Sequence, residues 1–253
     1  MPTGNGTNAV GWSNVLKYIW AAATHKGMVR KNNEDALFPD TSGESEGPVV
    51  LMVADGMGGH VAGEVASRLA VNAAASVDLS PSDRVAAGNR AIREEIARQP
   101  ELDGMGTTLT LVELDPDGTA HFGHVGDSRA YMYADERLVQ LTKDHTVAAR
   151  YVDMGEITAE EAEGHPQSHM LTRCLGLTRF INVDEMEMPL EAGDRLLLCS
   201  DGLNTMIDNE AIAKGLNGIT ADEAVWNLID MANEAGGNDN ITVIVVDVLE
   251  PVG

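Results

Sequence analysis

Thr107-Thr108-Leu109-Thr110-Leu111-Val112-Glu113-Leu114, Asp115-Pro116-Asp117-Gly118 and Ala120-His121-Phe122-Gly123-His124-Val125 read in succession as strand, turn and strand. Pro116 presets φ and Gly118 tolerates positive φ, so the four residues between the apolar runs turn the chain back on itself. The two runs are expected to pair as an antiparallel hairpin. Further strand candidates lie outward from it. On the C-terminal side they are residues 130–133, 138–141, 182–188, 195–199 and 241–249; on the N-terminal side, 18–24 and the nearly all-apolar run 48–54. Three helices are predicted. In the first, Val61, Val65, Leu69, Ala73 and Val77 recur every four residues. The second covers 83–98, with Ser82 as N-cap and Val85, Ile92 and Ile96 inward. The third opens at Thr220-Ala221-Asp222-Glu223, which has the capping-box spacing, and turns Val225, Leu228, Ile229 and Ala232 inward. Strands in hairpin order, with the helices grouped apart from them, predict an α+β domain with antiparallel sheets and no regular βαβ winding.

The 253 residues suit one large domain with a substantial core, and 43% of them are hydrophobic. Aromatics make up only 4%, so that core rests on Val, Leu, Ile, Ala and Met. The domain is expected over residues 14–253, with residues 1–13, rich in Gly, Asn and Thr, as a flexible arm. Residues 40–47 read as a polar loop, and 144–177 as a polar insertion lying over the sheets. The formal net charge of -23, with 17 Lys and Arg, argues against nucleic acid or an anionic membrane as partner, since both are bound through basic patches. The acidity reads as a solubilising surface, and some of the carboxylates can also converge on a metal. Cys174 and Cys199 do not make a disulfide framework and have no zinc spacing, which suits a reduced, cytoplasmic protein. No run approaches the roughly 18 apolar residues that span a bilayer, and the short run 18–23 lacks the basic stretch of a signal peptide.

Several short segments each place an acid at a strand end or a tight turn. They are Arg30-Lys31-Asn32-Asn33-Glu34-Asp35, Ala54-Asp55-Gly56-Met57-Gly58-Gly59, Val125-Gly126-Asp127-Ser128-Arg129, Cys199-Ser200-Asp201-Gly202 and Asn238-Asp239-Asn240-Ile241. Taken singly, an Asp-Gly pair is an ordinary turn. Gathered at one end of a sheet, such carboxylates would repel one another unless cations or protons neutralised them. Oxygen ligands without a Cys or His cluster point to a hard ion, Mg²⁺ or Mn²⁺.

In order and in flanking residues, these segments resemble the PP2C-type (PPM) metal-dependent Ser/Thr protein phosphatases in their bacterial form. The likeness runs over about residues 18–249. Its elements are Arg30 to Asp35, Asp55-Gly56-Met57-Gly58-Gly59-His60, Gly106-Thr107-Thr108, Gly126-Asp127-Ser128-Arg129 with Tyr131, Ser200-Asp201-Gly202-Leu203 and Asp239-Asn240-Ile241-Thr242. The resemblance implies two antiparallel sheets in a sandwich with helices on both outer faces. It implies hydrolysis of phosphoserine and phosphothreonine in proteins by a metal-bridging water. Asp55 would bridge two ions, with the Gly56 carbonyl on one and Asp201 and Asp239 completing the other. Glu34 and Asp35 would contact metal-bound waters, and Asp127 would join Asp201 at a third, weaker position. Arg30 would grip the phosphate, and residues 144–177 would be the family's flap. Lys26 and Lys31 beside Arg30 make a basic cluster that is otherwise ordinary surface charge. The implied partners are phosphorylated proteins, the products of a Ser/Thr protein kinase, met by a monomer.

One departure concerns the general acid. Animal and plant relatives carry His two positions after the bridging Asp, and this chain has Met57, which has no proton to donate. His60 is a candidate substitute, and water at the metals is another. His145, His165 and His169 fall in the flap and read as solvated loop residues or substrate contacts, whereas His25, His121 and His124 read as structural. A non-catalytic phosphoprotein-binding member of the family is the alternative function. Such members lose metal carboxylates, whereas Asp55, Asp201 and Asp239 are all present here. A dedicated switch of the anti-sigma or spore type would carry an attached sensor domain, for which this length leaves no room unless the chain is an excised catalytic domain.

Overall fold

A computed structural model describes residues 15–58 and 62–250. The strands are β1 (Lys17–His25), β2 (Asp35–Phe38), β3 (Gly43–Ser45), β4 (Val49–Met57), β5 (Gly106–Thr107), β6 (Leu109–Leu114), β7 (Thr119–Val125), β8 (Arg129–Ala134), β9 (Arg137–Gln140), β10 (Asp184–Pro189), β11 (Arg195–Cys199) and β12 (Ile241–Leu249). The helices are α1 (Ala62–Ala75), α2 (Pro81–Arg98), α3 (Val147–Asp153), α4 (Ala159–Glu163), α5 (Asp201–Asn204), α6 (Asn209–Leu216) and α7 (Ala221–Glu234). One sheet has the order β3-β1-β12-β11-β8-β9 and the other β10-β7-β6-β4-β2, with β5 paired to the last residues of β4. Every pairing is antiparallel, including the β6–β7 hairpin across Asp115–Gly118. No helix among the described residues is long and apolar enough to cross a membrane.

The period of two along each strand sets the layers. Leu196 and Leu198 enter the core between the sheets with Tyr18, Leu51, Phe122 and Val246. Leu197 and Cys199, on the other face of the same strand, lie beneath α6 and α7 against Ile212, Leu228 and Ile229. The second sheet repeats the arrangement: Leu51 and Val53 face inward, and Met52 and Ala54 pack outward on Ala66, Ala70, Val85 and Ile92 of α1 and α2. A strand covered on both faces has no polar side, which is why 48–54 reads as an apolar run and 241–249 is rich in Val and Ile, with Thr242 and Asp247 as its polar exceptions. The helix–sheet–sheet–helix order is the architecture expected from the sequence.

Several local expectations are corrected. β4 does not stop at Asp55 but runs on through Gly56 and Met57. Gly56 pairs with Thr107, and its N–H donates to the Glu34 carbonyl at 3.2 Å. A Cβ on Gly56 would lie 2.2 Å from the Gly63 carbonyl oxygen and 2.5 Å from that of Glu34, so glycine here admits neighbouring backbone without ending the strand. The polar stretch 40–47 contains the edge strand β3, paired to β1. In α1 the buried face is Ala66, Ser67, Ala70, Val71 and Ala74, and Val65 and Leu69 are only half-buried. The reason is close helix packing: a Cβ on Gly88 of α2 would sit 3.1 Å from the Ala70 carbonyl oxygen. The cap of α2 is Ser80, whose Oγ accepts the Asp83 N–H at 3.3 Å, while Pro81 fills the first helical position, where no N–H is needed. Ser82 therefore lies inside the helix. Residues 201–216, where no helix was expected, form α5 and α6, and Asp208 caps α6 by accepting the Ala211 N–H at 2.8 Å. The segment 144–177 holds α3 and α4. Its base is tied by a bridge between Thr146 and Leu171 and by the Thr172 N–H donating to the His145 carbonyl at 2.7 Å. The arm 1–13 and His60 lie outside the described residues.

Candidate functional site

One end of the sandwich collects the acids. Asp35 opens β2 directly opposite Asp55 in β4. Asp201 follows β11 by two residues, Asp239 precedes β12 by two, and Asp127 lies in the turn from β7 to β8. Hydroxyl and amide side chains fix this frame. Asp55 donates its N–H to Thr108 Oγ1 at 2.8 Å, and its carbonyl accepts the Thr107 hydroxyl at 2.8 Å and the Thr108 N–H at 2.9 Å. Asp35 Oδ2 accepts from Ser200 Oγ at 2.7 Å and from Thr242 Oγ1 at 2.6 Å, joining β2 to β11 and β12. Asn240, buried, donates to the carbonyls of Lys26 and Asn32, each at 2.9 Å, and accepts the Glu34 N–H at 2.7 Å. Thus Asn240 shapes the loop that carries Arg30 and Glu34. Close backbone approach explains Gly202, where a Cβ would fall 1.9 Å from the Asn240 carbonyl oxygen.

The electrostatics are unfavourable to the carboxylates standing alone. Four buried side-chain polar atoms among the described residues lack a hydrogen-bond partner, and two of them are Asp35 Oδ1 and Asp201 Oδ1. A buried anionic oxygen without a partner costs free energy unless a cation or a proton meets it. Burial pushes the Asp35 acid up to about 7, opposed by its hydroxyl donors and reinforced by the charges of Asp201 and Asp239. Asp55 is held well above the carboxylate range by burial and then by Asp35, Asp201 and Asp127. Asp127 is likewise raised well above it, by burial and then by Asp201 and Asp144. Asp201 is raised by burial and by Asp239, and Glu34 by burial. Asp239 is turned to Arg30, whose Nη2 donates to Oδ2 at 2.5 Å, and its Oδ1 accepts the Asn240 N–H at 2.8 Å. Among the described residues, no three His, Cys, Asp or Glu side chains already form a closed metal cage. The acids are nonetheless oxygen-only, mutually repelling and partly unpartnered, and that donor set fits hard divalent cations better than any other occupant.

Arg30 is 54% exposed, so most of its guanidinium N–H groups remain open to solvent. Glu34 is half-buried, with its carboxylate against Gly63: a Cβ there would lie 2.8 Å from Oε2. Asp127 and Asp201 line one end of a groove of about 880 Å³ between α3–α4 and α5–α6, together with Thr146, Ala149, Val152, Met206 and Ile207. His169 lines the groove and is exposed, and His165 packs edge-on against Tyr151 with ring centroids 5.6 Å apart. His145 is not a solvated loop residue; it is buried against the Asp127 turn. His25 accepts the Gly27 N–H, His121 meets Asp115 and Glu187, and His124 is buried, pushed down to about 4 chiefly by that burial. Sequence reasoning missed the supporting groups Thr107, Thr108, Ser200, Asn240, Thr242 and His145. All but His145 stand inside the motifs quoted above, where the roles went to the acids, Arg30 and the Gly56 carbonyl.

The profile of the family described as Protein phosphatase 2C matches residues 24–236. The serine/threonine protein phosphatase PstP of Mycobacterium tuberculosis is 42% identical over 250 residues, covering 93% of this chain and 46% of that protein, so the chain spans about half of that relative's length. The serine/threonine phosphatase stp of Listeria welshimeri is 36% identical over 242 residues, covering 88% of this chain and 93% of that protein. Among solved structures, the catalytic domain of serine threonine protein phosphatase PstP in complex with 2 manganese ions superposes with a TM-score of 0.82 at 38% identity, covering 93% of this chain and all of that one.

Proposed function

This chain belongs to the protein phosphatase 2C family, and we propose that it hydrolyses phosphoserine and phosphothreonine in proteins at the carboxylate end of its sandwich. The observation that carries the reading is the set of buried, mutually raised acids with unpartnered oxygens on Asp35 and Asp201. Two cations bound there, Mn²⁺ or Mg²⁺, would lower the pKa of water at the site and neutralise charge on the phosphoryl oxygens. Asp55, the Gly56 carbonyl, Asp201 and Asp239 would hold the pair. Glu34 and Asp35 would orient water, and Asp127 with Asp201 would hold a third ion more weakly.

Arg30 supplies the substrate contact. One of its N–H groups is spent on Asp239, which aims the guanidinium at the acids, and the others are free to take phosphoryl oxygens in paired fashion. Met57 cannot protonate the leaving alkoxide, so that proton comes from water at the site or from His60. Retention of Arg30, Asp55, Asp201 and Asp239 favours catalysis over mere phosphoprotein binding. The physiological substrates are products of a Ser/Thr protein kinase, met in the cytoplasm by a monomer, and residues 144–177 act as the flap beside the site.

The test is hydrolysis of a phosphothreonine peptide with Mn²⁺ and after chelation. Activity that requires the ion, with Arg30→Ala raising KM by about 10-fold or more, is the expected result. Turnover indifferent to chelation, or an Arg30→Ala enzyme with unchanged KM, would count against it.

A further inference from the structure

Asp127 follows a glycine whose backbone is held by two neighbours. Gly126 has a φ of +119°, and a Cβ on it would lie 2.5 Å from Thr108 Cβ and Cγ2, so the turn rests directly on Thr108. Thr108 in turn hydrogen-bonds Ser128 through its hydroxyl at 2.7 Å and accepts the Asp55 N–H. The second neighbour is His145. Its Nδ1 accepts the Gly126 N–H at 3.0 Å, and its backbone N–H donates to the Gly126 carbonyl at 2.8 Å. Both polar groups of Gly126 are therefore satisfied by one neighbour. Because Nδ1 accepts, the ring proton is on Nε2, which donates to Asp184 Oδ2 at 3.1 Å. Asp184 also accepts from Arg173, and the His145 carbonyl accepts the Thr172 N–H. His145, 3% exposed, is thus the joint between the base of the segment 144–177, the β10 edge and the Asp127 turn.

We propose that His145 is a positioning residue for Asp127: the Gly126 N–H bond to its Nδ1 holds the Asp127 carboxylate toward Asp201 and so sets the affinity of the weakest cation position. This rests on the cation-dependent reading above. Groups that orient metal ligands without touching the metal change affinity by about 10- to 100-fold when lost. The two ring nitrogens can be tested separately. In His145→Asn the side-chain oxygen can stand where Nδ1 stands and keep the Gly126 bond, while the Asp184 bond is lost. In His145→Gln the longer amide reaches the place of Nε2 and keeps Asp184, while the Gly126 bond is lost.

Calorimetric titration of the metal-free proteins with Mn²⁺ reads the effect directly. The weakest binding step is expected to loosen about 10-fold or more in His145→Gln and to stay within about 3-fold of wild type in His145→Asn. An unchanged His145→Gln, or equal losses in both variants, overturns the proposal alone. No Mn²⁺ binding and no phosphopeptide hydrolysis in the wild type overturns the reading beneath it as well. Hydrogen exchange at the Gly126 amide in the wild type supplies a measurement free of any folding defect in the variants. Exchange is expected to slow as the weakest step fills, and no change across that step overturns the proposal.

Discussion

Strands β11 and β12 change character within a residue or two of their ends. Inside the sandwich Leu196, Leu197, Leu198 and Cys199 are fully buried among Val243, Ile244, Val245 and Val246, with a sheet on one side and helices on the other. One step beyond Cys199, Ser200 turns its hydroxyl to Asp35, and Asp201 leaves an oxygen without a partner. One step before Ile241, Asn240 ties down a loop that carries no layer of its own. The apolar region is satisfied on every side, and the acidic region is held together against its own repulsion. The difference teaches that rigidity and complementarity are separated in this fold. Packed strands supply the stability, and their protruding ends hold acids in an arrangement that is comfortable only around positive charge.

Substitutions that hit one region and spare the other can break the comparison. The largest effect is expected from Asp239→Asn: a loss of roughly 100- to 1000-fold in phosphopeptide hydrolysis, with a metal-free melting temperature little changed, since only its exposed ion pair with Arg30 is lost. Steady-state kinetics and calorimetry on one preparation would check both halves. Leu197→Ala should do the reverse. Truncating a fully buried leucine between β11 and the outer helices should cost about 2–5 kcal/mol in denaturant unfolding, with kcat per folded molecule nearly unchanged.

Smaller still is a pH effect from the acidic end. The folded-state Asp35 acid, near 7, lies above its ordinary value of 3.8. Its contribution to stability is therefore fully present below about 3.8 and lost as pH rises through about 7. Metal-free Asp35→Asn should lose less stability than wild type between pH 5 and pH 8, as followed by melting temperature at fixed ionic strength. Parallel curves for the two proteins would remove Asp35 from the account. The smallest effect sharpens a boundary: Ser80→Ala should cost about 1 kcal/mol through the cap of α2, and Ser82→Ala much less, as read by urea unfolding.

What the sequence made legible follows the same division. β12 and β11 have the bounds expected for them because runs rich in Leu, Val and Ile flanked by turn residues leave little choice. Thr220 and Glu223 form the capping box their spacing announced, and Val225, Leu228, Ile229 and Ala232 face inward from α7. The inward face of α1 differs from the one periodicity suggests because periodicity ranks Val65 and Leu69 above alanine, whereas the close approach of Gly88 to Ala70 favours a small side chain at that point. The extension of β4 through Gly56 was missed because glycine signals a break locally, and only the approach of Gly63 and Glu34 gives it another reason to be there. At the site, the acids were visible as strand-end motifs. The hydroxyls of Ser200 and Thr242, the amide of Asn240 and the imidazole of His145 were not, because their partners are distant in sequence and side-chain type alone does not say what a polar group will hold.

The claim that the acidic end is strained until cations join it is tested most directly by differential scanning calorimetry of wild type and Asp55→Asn, each metal-free and with excess Mn²⁺. Metal-free Asp55→Asn is predicted to melt at or above wild type, and Mn²⁺ to raise the wild-type transition markedly while moving the variant little. A metal-free variant that melts well below wild type, or equal Mn²⁺ shifts in the two proteins, would contradict it.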